Sequence, residues 1–436
     1  MPTLSSPGLL SAGPRPVGVV FGGVSPEHEV SVITSLQAAA AMDRAAYTPV
    51  PVYIAKSGRW YTGEGLFDVE RYRDVGALTA GATEVSLQRR PGGGAGGRLV
   101  ATAPAGLFRK PLALDVDVLF LGLHGGAGEN GAVQGMCETL GVPYTGSGVF
   151  GSALGMDKVL TKVVCRDQGI PVVPWVSFRE ADWAGSEAEW MDRVEAEIGL
   201  PAVVKPARLG SSIGIARVDT RDELDAAVEE ALRYDEKVVV EHAVTALREV
   251  NCSVLGSPRE AQASVLEEPV RSVGEEMLTF EEKYQRGGKG GAKGAPRSPK
   301  AFRGAGSKGA GSKGAGSAGM ASLDRLIPAP LSETDTAAAR AMAVHVFRLF
   351  ECSGVARIDF LLDDADGQLY FNEINTLPGS LSFYLWEPSG VPFPTLIDRM
   401  IRLALERHAA EAGRIRSYET NLLSTASLGG LKGAKR

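Results

Sequence analysis

A chain of 436 residues exceeds what one hydrophobic core organises, so two or three domains are expected. Its 44% apolar and 22% charged content is that of an ordinary soluble globular protein, and a net charge of -6 excludes a chain that binds nucleic acid as a whole. No apolar run approaches the roughly 20 residues needed to span a bilayer, so no membrane partner is expected. Cys137, Cys165, Cys252 and Cys352 are scattered, without zinc-ligand spacing, which fits reduced thiols in a cytoplasm.

In chain order, residues 1–16 hold Ser, Gly and Pro and read as a loose tail. Val17 to Phe21 is a short β-branched run that ends in Gly22-Gly23, and an apolar-periodic segment from Ser31 to Met42 follows. Strand, glycine turn and helix open an α/β unit. Asp115 to Leu123 reads as a second buried strand, runs into the glycines of His124 to Gly131, and precedes a helix around Ala132 to Leu140. The first domain is therefore expected to be a small parallel sheet over 17–146. From Met156 the pattern is helix, then a strand over Pro171 to Phe178, a helix, a strand Ala202 to Lys205, a helix over Val218 to Arg233, and a strand Lys237 to Glu241. That makes a second α+β unit, 147–241. A third domain, 242–412, carries a helix from Ser332 to Phe350, an acidic hairpin, and a terminal helix from Pro394 to His408. Within it, 286–320 repeats Gly-Ala-Gly-Ser-Lys with eight Lys or Arg residues and no acid, and has almost nothing to bury. A disordered or mobile solvated insertion is the simpler reading of that tract, a nucleic-acid contact the rarer one. Residues 413–436 are expected to fray.

The hairpin over Arg357 to Asn375 carries the most chemistry. Alternation puts Arg357 and Asp359 on one strand face, and Glu373 and Asn375 on one face of the other strand. An odd loop sets Asp359 opposite Glu373 and Arg357 opposite Asn375; a two-residue Asp366-Gly367 loop sets the two acids on opposite faces. With the odd loop, two carboxylates and an amide oxygen converge, the hard-oxygen set that Mg²⁺ uses when phosphate and water complete its shell. A solvated ribbon is the plain alternative, though apolar flanks and the Arg among the acids favour a site.

Lys205 to Gly214 follows one strand and precedes another at Ile215 to Val218. Its small residues let backbone N–H groups approach a polyanion, with Lys205 as a point charge; an ordinary hairpin loop is the alternative. No GxxxxGK[ST] occurs, and neither glycine cluster of the first domain gives GxGxxG with a suitably placed acid, which argues against a Rossmann oxidoreductase. Glu27 precedes a helix and suits a capping acid. His124 ends a strand at the edge where open α/β sheets bind ligands, yet a lone histidine there is more often structural.

Taken in order, these segments resemble the D-alanine:D-alanine ligases of the ATP-grasp superfamily. The matching pieces are Gly22 to Ser31, His124 to Gly131, Pro143 to Gly148, Met156-Asp157-Lys158, Lys205 to Gly214, Glu282-Lys283-Tyr284, Arg357-Ile358-Asp359 and Asn372 to Gly379. The resemblance spans 17 to about 405 without the glycine-lysine tract. It implies an α/β, three-domain ATP-grasp architecture with an N-terminal Rossmann-like domain and ATP held between two β-sheets. By position it implies that Glu27 holds the first substrate's ammonium and groups with Ser211 and Tyr284, and that His124 lies near that substrate's carboxylate. Lys158, Lys205 and Lys283 would contact ATP, with Ser211, Ser212 and Gly214 covering its phosphates, Glu241 and Val244 at the adenine and Glu249 on the ribose. Asp359, Glu373 and Asn375 would bind two Mg²⁺ ions, or Mn²⁺, and Arg357 with the Gly379 backbone would face the developing oxyanion. ATP and D-alanine are the implied partners, in a homodimer. Two departures stand out. Relatives carry a serine that grips the second substrate's carboxylate where this chain has Tyr384, followed by Leu385, and the loop after Lys283-Tyr284 is longer than expected. Tyr284 favours an amine acceptor, while Tyr384 leaves D-serine or D-lactate as rival acceptors; a nucleotide-binding protein without catalysis is the reading from another class.

Overall fold

The computed structural model describes residues 13–103, 112–270 and 325–415. Most of the N-terminal tail, Lys283, Tyr284, the 286–320 tract and the chain beyond 415 lie outside those residues.

The first sheet has seven strands: β1 (Arg15–Gly22), β2 (Tyr47–Ile54), β3 (Trp60–Thr62), β4 (Thr83–Arg89), β5 (Gly97–Ala101), β6 (Ala113–Val116) and β7 (Val118–Leu121), in the order β6-β5-β4-β3-β2-β1-β7. Only β2, β1 and β7 run parallel; the others extend the sheet antiparallel, so the expected small parallel sheet is a mixed one. Asp115 to Leu123, read as one strand, breaks at Asp117 and supplies both edges of the sheet. The reason is local: the Asp117 amide donates to the Pro16 carbonyl, and its carboxylate accepts from Arg90 at 2.7 Å. Strand β1 is apolar without alternation because both its faces are covered: Val17, Val19 and Phe21 enter one core, Val20 another. At Gly22 (φ 87°) a Cβ would lie 2.2 Å from the Ile54 carbonyl oxygen, so only glycine fits the turn that leads to the helix His28–Ala41.

The second sheet is antiparallel, β8 (Trp175–Arg179), β9 (Ala202–Pro206), β10 (Ala216–Val218) and β11 (Lys237–His242), ordered β10-β9-β11-β8. Val204, Val238 and Val240 pack on Leu224 and Val228 of the helix Arg221–Leu232, whose start is fixed by a Thr220/Glu223 capping box. The third sheet is β12 (Leu247–Gly256), β13 (Ala261–Pro269), β14 (Arg325–Leu326), β15 (Gly354–Asp363) and β16 (Leu369–Asn375), ordered β14-β13-β12-β15-β16. The helix Glu333–Leu349, capped by the Ser332 side chain, covers it with Ala339, Ala343, Val346 and Phe347.

The terminal helix Phe393–Ala412 does not stay with the third sheet. Its Leu396, Ile397 and Met400 share one core with Val17, Val19 and Phe21 of β1 and with Val355 of β15. Tyr47 donates to Asp398 at 2.7 Å, and Arg407 donates to the Tyr144 and Gly146 carbonyls while lying 4.3 Å over the Tyr144 ring. First and third sheets are thereby joined, which brings Glu27 and His124 against the turn that begins at Gly379.

Candidate active site

The acidic hairpin has the register that a site requires, reached by an unexpected route. Arg357 pairs with Asn375 and Asp359 with Glu373 across β15 and β16, but Phe360 pairs with Phe371, so Asn372 is an extra residue in the ladder. The loop proper, 363–368, is even, and the bulge at Asn372 restores the facing acids. The odd loop expected from the sequence is thus replaced by an even loop plus one bulged residue. The bulged Asn372 lines the cleft beside Glu373, and its Oδ1 accepts from Lys205 Nζ at 3.2 Å.

Between the second and third sheets lies a cleft walled by Lys205, Glu241 and Val244 from one side and Glu249, Asp359 and Glu373 from the other. Lys205, on β9, donates to Glu241 Oε2 of β11 in the same sheet at 2.7 Å and to Asn372 of β16, and through the second bond it ties both sheets at the cleft floor. Behind it sits a residue that the sequence reading passed over. Lys162, on the helix Lys158–Asp167, is fully buried with its Nζ 3.1 Å from Glu241 Oε1. Burial, together with the nearby Lys205, pushes its ammonium below the ordinary range against the pull of Glu241. Burial alone would push the Glu241 carboxyl up, but the two ammoniums outweigh it and hold it below the usual carboxylate range. A rigid, charge-paired floor of this kind suits a phosphorylated nucleotide. Ser212 lines this cleft as well, whereas Gly214 lines neither cavity.

A second cavity adjoins the first and is lined by Glu27, His124, Glu129, Lys158, Ser211 and Gly379. Arg357 and Glu373 belong to the walls of both. Ser211 donates its hydroxyl to Glu27, carried there by a loop in which Ser211 and Ser212 hold left-handed φ of 58° and 59°. Gly125, at a left-handed φ of 69°, lies close by: a Cβ there would lie 2.7 Å from Glu27 Oε2. Lys158 Nζ donates to the Leu209 carbonyl at 2.7 Å and pairs with Glu373 at 3.2 Å.

His124 is 3% exposed, with Nε2 2.9 Å from the Thr34 hydroxyl. Burial pulls its pKa down to about 4, a hydrogen bond to the Leu377 backbone opposing only in part, so the imidazole is neutral at pH 7. Glu129 belongs to the His124–Gly131 loop, and no sequence signal sets it apart there. It accepts from the Gly125 amide at 2.6 Å, and burial, then the Glu27 charge, raise its pKa to about 8. A carboxyl raised on folding binds its proton more tightly in the native state, so this group's contribution to stability falls as pH rises from 4.5 toward 8. Glu129→Gln is therefore expected to be more stable than wild type at pH 8, with the difference shrinking at pH 5; urea unfolding at both pH values measures it.

Arg357 donates Nε and Nη2 to the two oxygens of Asp359 at 2.7 and 2.6 Å, and Asn375 Nδ2 donates to Asp359 Oδ2 at 2.9 Å. Burial raises the Asp359 pKa in spite of Arg357, with Glu373 and Glu267 adding to it. Among the described residues no cluster of three or more acidic, His or Cys side chains could hold a metal. The donor set here is two carboxylates and the Asn375 amide oxygen, which fits a hard cation that shares its shell with phosphate and water. Tyr384 and Leu385 line neither cavity. Leu385 is fully buried, and Tyr384 bonds to Glu267 behind the cleft wall.

Two family models match this chain: "D-ala D-ala ligase N-terminus" over residues 16–147, and "D-ala D-ala ligase C-terminus" over 164–294 and 318–402. The chain belongs to the D-alanine–D-alanine ligase family. The break between 294 and 318 falls within the Gly/Lys-rich tract, so residues 295–317 of it are extra to the family pattern. The D-alanine–D-alanine ligase of Thermosipho melanesiensis is 37% identical over 410 residues, covering 93% of this chain and 98% of that protein. That of Geobacillus kaustophilus is 36% identical over 400 residues, 90% and 95% of the two chains. Among solved structures, the D-alanine–D-alanine ligase of Coxiella burnetii matches with a TM-score of 0.69 at 28% identity, covering 95% of this chain and all of that one. The VanG D-Ala:D-Ser ligase of Enterococcus faecalis matches with a TM-score of 0.69 at 27% identity, covering 90% and 99%. The chain is thus a ligase with the ATP-grasp fold, and no described helix is long and apolar enough to cross a membrane.

Proposed function

We propose that this ligase joins two D-alanines to D-alanyl-D-alanine through D-alanyl phosphate, converting ATP to ADP and phosphate. The observation that carries this reading is the meeting of the two cavities at Arg357 and Glu373, which sets a small-molecule site against a nucleotide cleft. In the second cavity Glu27, braced by Ser211 and grouped with Tyr284 as the resemblance implies, holds the donor's ammonium, and neutral His124 lies near its carboxylate. ATP lies in the cleft, its adenine by Val244 and Glu241, its ribose by Glu249, and its phosphates under Lys158, Lys205, Lys283 and the 211–214 loop. The donor carboxylate attacks the γ-phosphorus; an O–P bond forms and the bond to the ADP oxygen breaks. The acceptor's amine then attacks the acyl carbon, loses its proton, and expels phosphate from a tetrahedral intermediate whose oxyanion meets Arg357 and the Gly379 amide. Two Mg²⁺ ions, or Mn²⁺, held by Asp359, Glu373 and Asn375 would neutralise phosphate charge during transfer.

A homodimer working in the cytoplasm, with its dipeptide feeding peptidoglycan synthesis, follows from the same reading. So does a division at 17–146, 147–241 and 242–412. The likeness to a D-Ala:D-Ser ligase and the tyrosine at position 384 make acceptor choice the point to test. Purified protein with ATP and Mg²⁺ is expected to release phosphate only when D-alanine is added, with the dipeptide seen by mass spectrometry. ATP turnover indifferent to D-amino acids would sink the proposal, and a product dominated by D-serine or D-lactate as acceptor would replace it.

A further inference from the structure

Lys162 has no part in the steps above. It lies one turn after Lys158 on the same side of the helix Lys158–Asp167. The start of that helix is fixed twice: the Asp157 side chain accepts from the Val159 and Leu160 amides, and the Lys158 amide donates to the Ala207 carbonyl at 2.9 Å. Lys158 reaches the small-molecule cavity, whereas Lys162 is fully buried and lines neither cavity. Its Nζ stands 3.1 Å from Glu241 Oε1, and the other oxygen of that carboxylate accepts from Lys205 at 2.7 Å. The three side chains thus form one row, with Lys205 at the cleft and Lys162 at the end away from it.

Two ammoniums and one carboxylate leave the row with one positive charge. Lys205 is the ammonium that lines the cleft, and its second bond, to Asn372 Oδ1 at 3.2 Å, is to a neutral amide that cancels none of this charge. Without Lys162, Glu241 and Lys205 would neutralise each other, and a polyphosphate entering the cleft would meet a dipole in place of a cation. With Lys162 behind it, Glu241 is balanced from the protein side, and the field of Lys205 reaches the cleft. Burial makes so remote a charge effective, because no water surrounds Lys162 to screen it. The carboxylate in the middle is secure at pH 7, since the two ammoniums hold Glu241 below its ordinary range. We infer that Lys162 is a positioning residue for the nucleotide's phosphates: it balances Glu241 from behind and so leaves the Lys205 ammonium able to attract them. This rests on the reading given above that ATP occupies the cleft.

Adenosine separates a charge effect from a packing effect, because it fills the base and ribose positions without carrying an anion. Full-length wild type and Lys162→Met are titrated with ATP and ADP at fixed Mg²⁺, and the affinity for adenosine is taken from its displacement of ATP. Lys162→Met, close in volume but uncharged, is expected to weaken ATP by about 10- to 100-fold, while adenosine stays within about twofold of wild type. ADP should weaken as well, and the KM for D-alanine at saturating ATP should stay within about twofold, since no bond to the amino acid is touched. Lys162→Gln keeps a hydrogen-bond donor toward Glu241 but no charge, so it should show the same loss for ATP; it also carries the test if the methionine variant does not fold. An unchanged affinity for ATP in both variants shows that Lys162 supplies no charge to the cleft and overturns the inference. Equal weakening of adenosine and ATP, or recovery of ATP binding by the glutamine, overturns it too and leaves Lys162 a packing residue. A wild type that binds no ATP is a different failure, that of the ligase reading, and it shows before any variant is made.

Discussion

Arg357→Met lowers kcat by about 100- to 1000-fold while ATP affinity stays within a few-fold of wild type, the scale expected when a fixed donor to a developing oxyanion is removed. The expectation comes from position. Arg357 is one of two residues common to the nucleotide cleft and the small-molecule cavity, and it is 8% exposed, so its charge acts with little screening by water. Its fork is held by both oxygens of Asp359, opposite Asn375 in the hairpin ladder, before any substrate arrives. Charge that appears only during phosphoryl transfer and at the tetrahedral stage therefore meets a cation that needs no reorganisation. Arg357→Lys restores only part of the rate, because a point charge cannot keep the two-pronged contact. Phosphate release at saturating ATP, D-alanine and Mg²⁺ gives kcat, and equilibrium titration gives ATP affinity. A fall in kcat of less than about tenfold would remove Arg357 from the transition state and leave it as the counter-ion of Asp359.

Alternation put Arg357 with Asp359 and Glu373 with Asn375 on one face of each strand, and β15 and β16 bring the two pairs to facing positions. What alternation could not show was how the register arises, because a bulge leaves no mark in a hydrophobic pattern; Asn372 looks like any outward polar residue. Strand β2 was equally hidden. Pro49 and Pro51 argue against a strand inside a sheet, yet both lie in β2, which pairs with β3 only at Tyr53 and Ile54, so neither proline faces a ladder partner on that side. Lys162 escaped for another reason. A lysine on an amphipathic helix reads as solvent-facing, and its partner Glu241 comes from a strand far along the chain. Helices were the more legible elements because their signals are local. Ala132 to Leu140 matches the observed helix, and Ser332 caps the helix that follows it.

Glu241→Gln is expected to destabilise the protein by about 3–5 kcal/mol, the cost of leaving buried charge without its partner. In the native structure one carboxylate serves two ammoniums, Lys205 at 2.7 Å and Lys162 at 3.1 Å, with Glu241 2% exposed and Lys162 fully buried. Removing the negative charge leaves two positive groups facing each other across a neutral amide, so Coulomb repulsion adds to desolvation. The pH dependence has a definite sign. The native carboxyl is held below its ordinary 4.5, so its stabilisation is present above that value and is lost as pH falls through the native pKa. Wild type should therefore lose stability in acid more steeply than Glu241→Gln, and the two unfolding curves should converge below the carboxylate range. Lys162→Met tests the same triad from its other side. Paired with Glu241→Gln it removes one of the stranded ammoniums, so the double variant should be less destabilised than the sum of the single changes. Urea midpoints for the four proteins form the cycle, and strict additivity would show that Lys162 and Glu241 do not act as a pair.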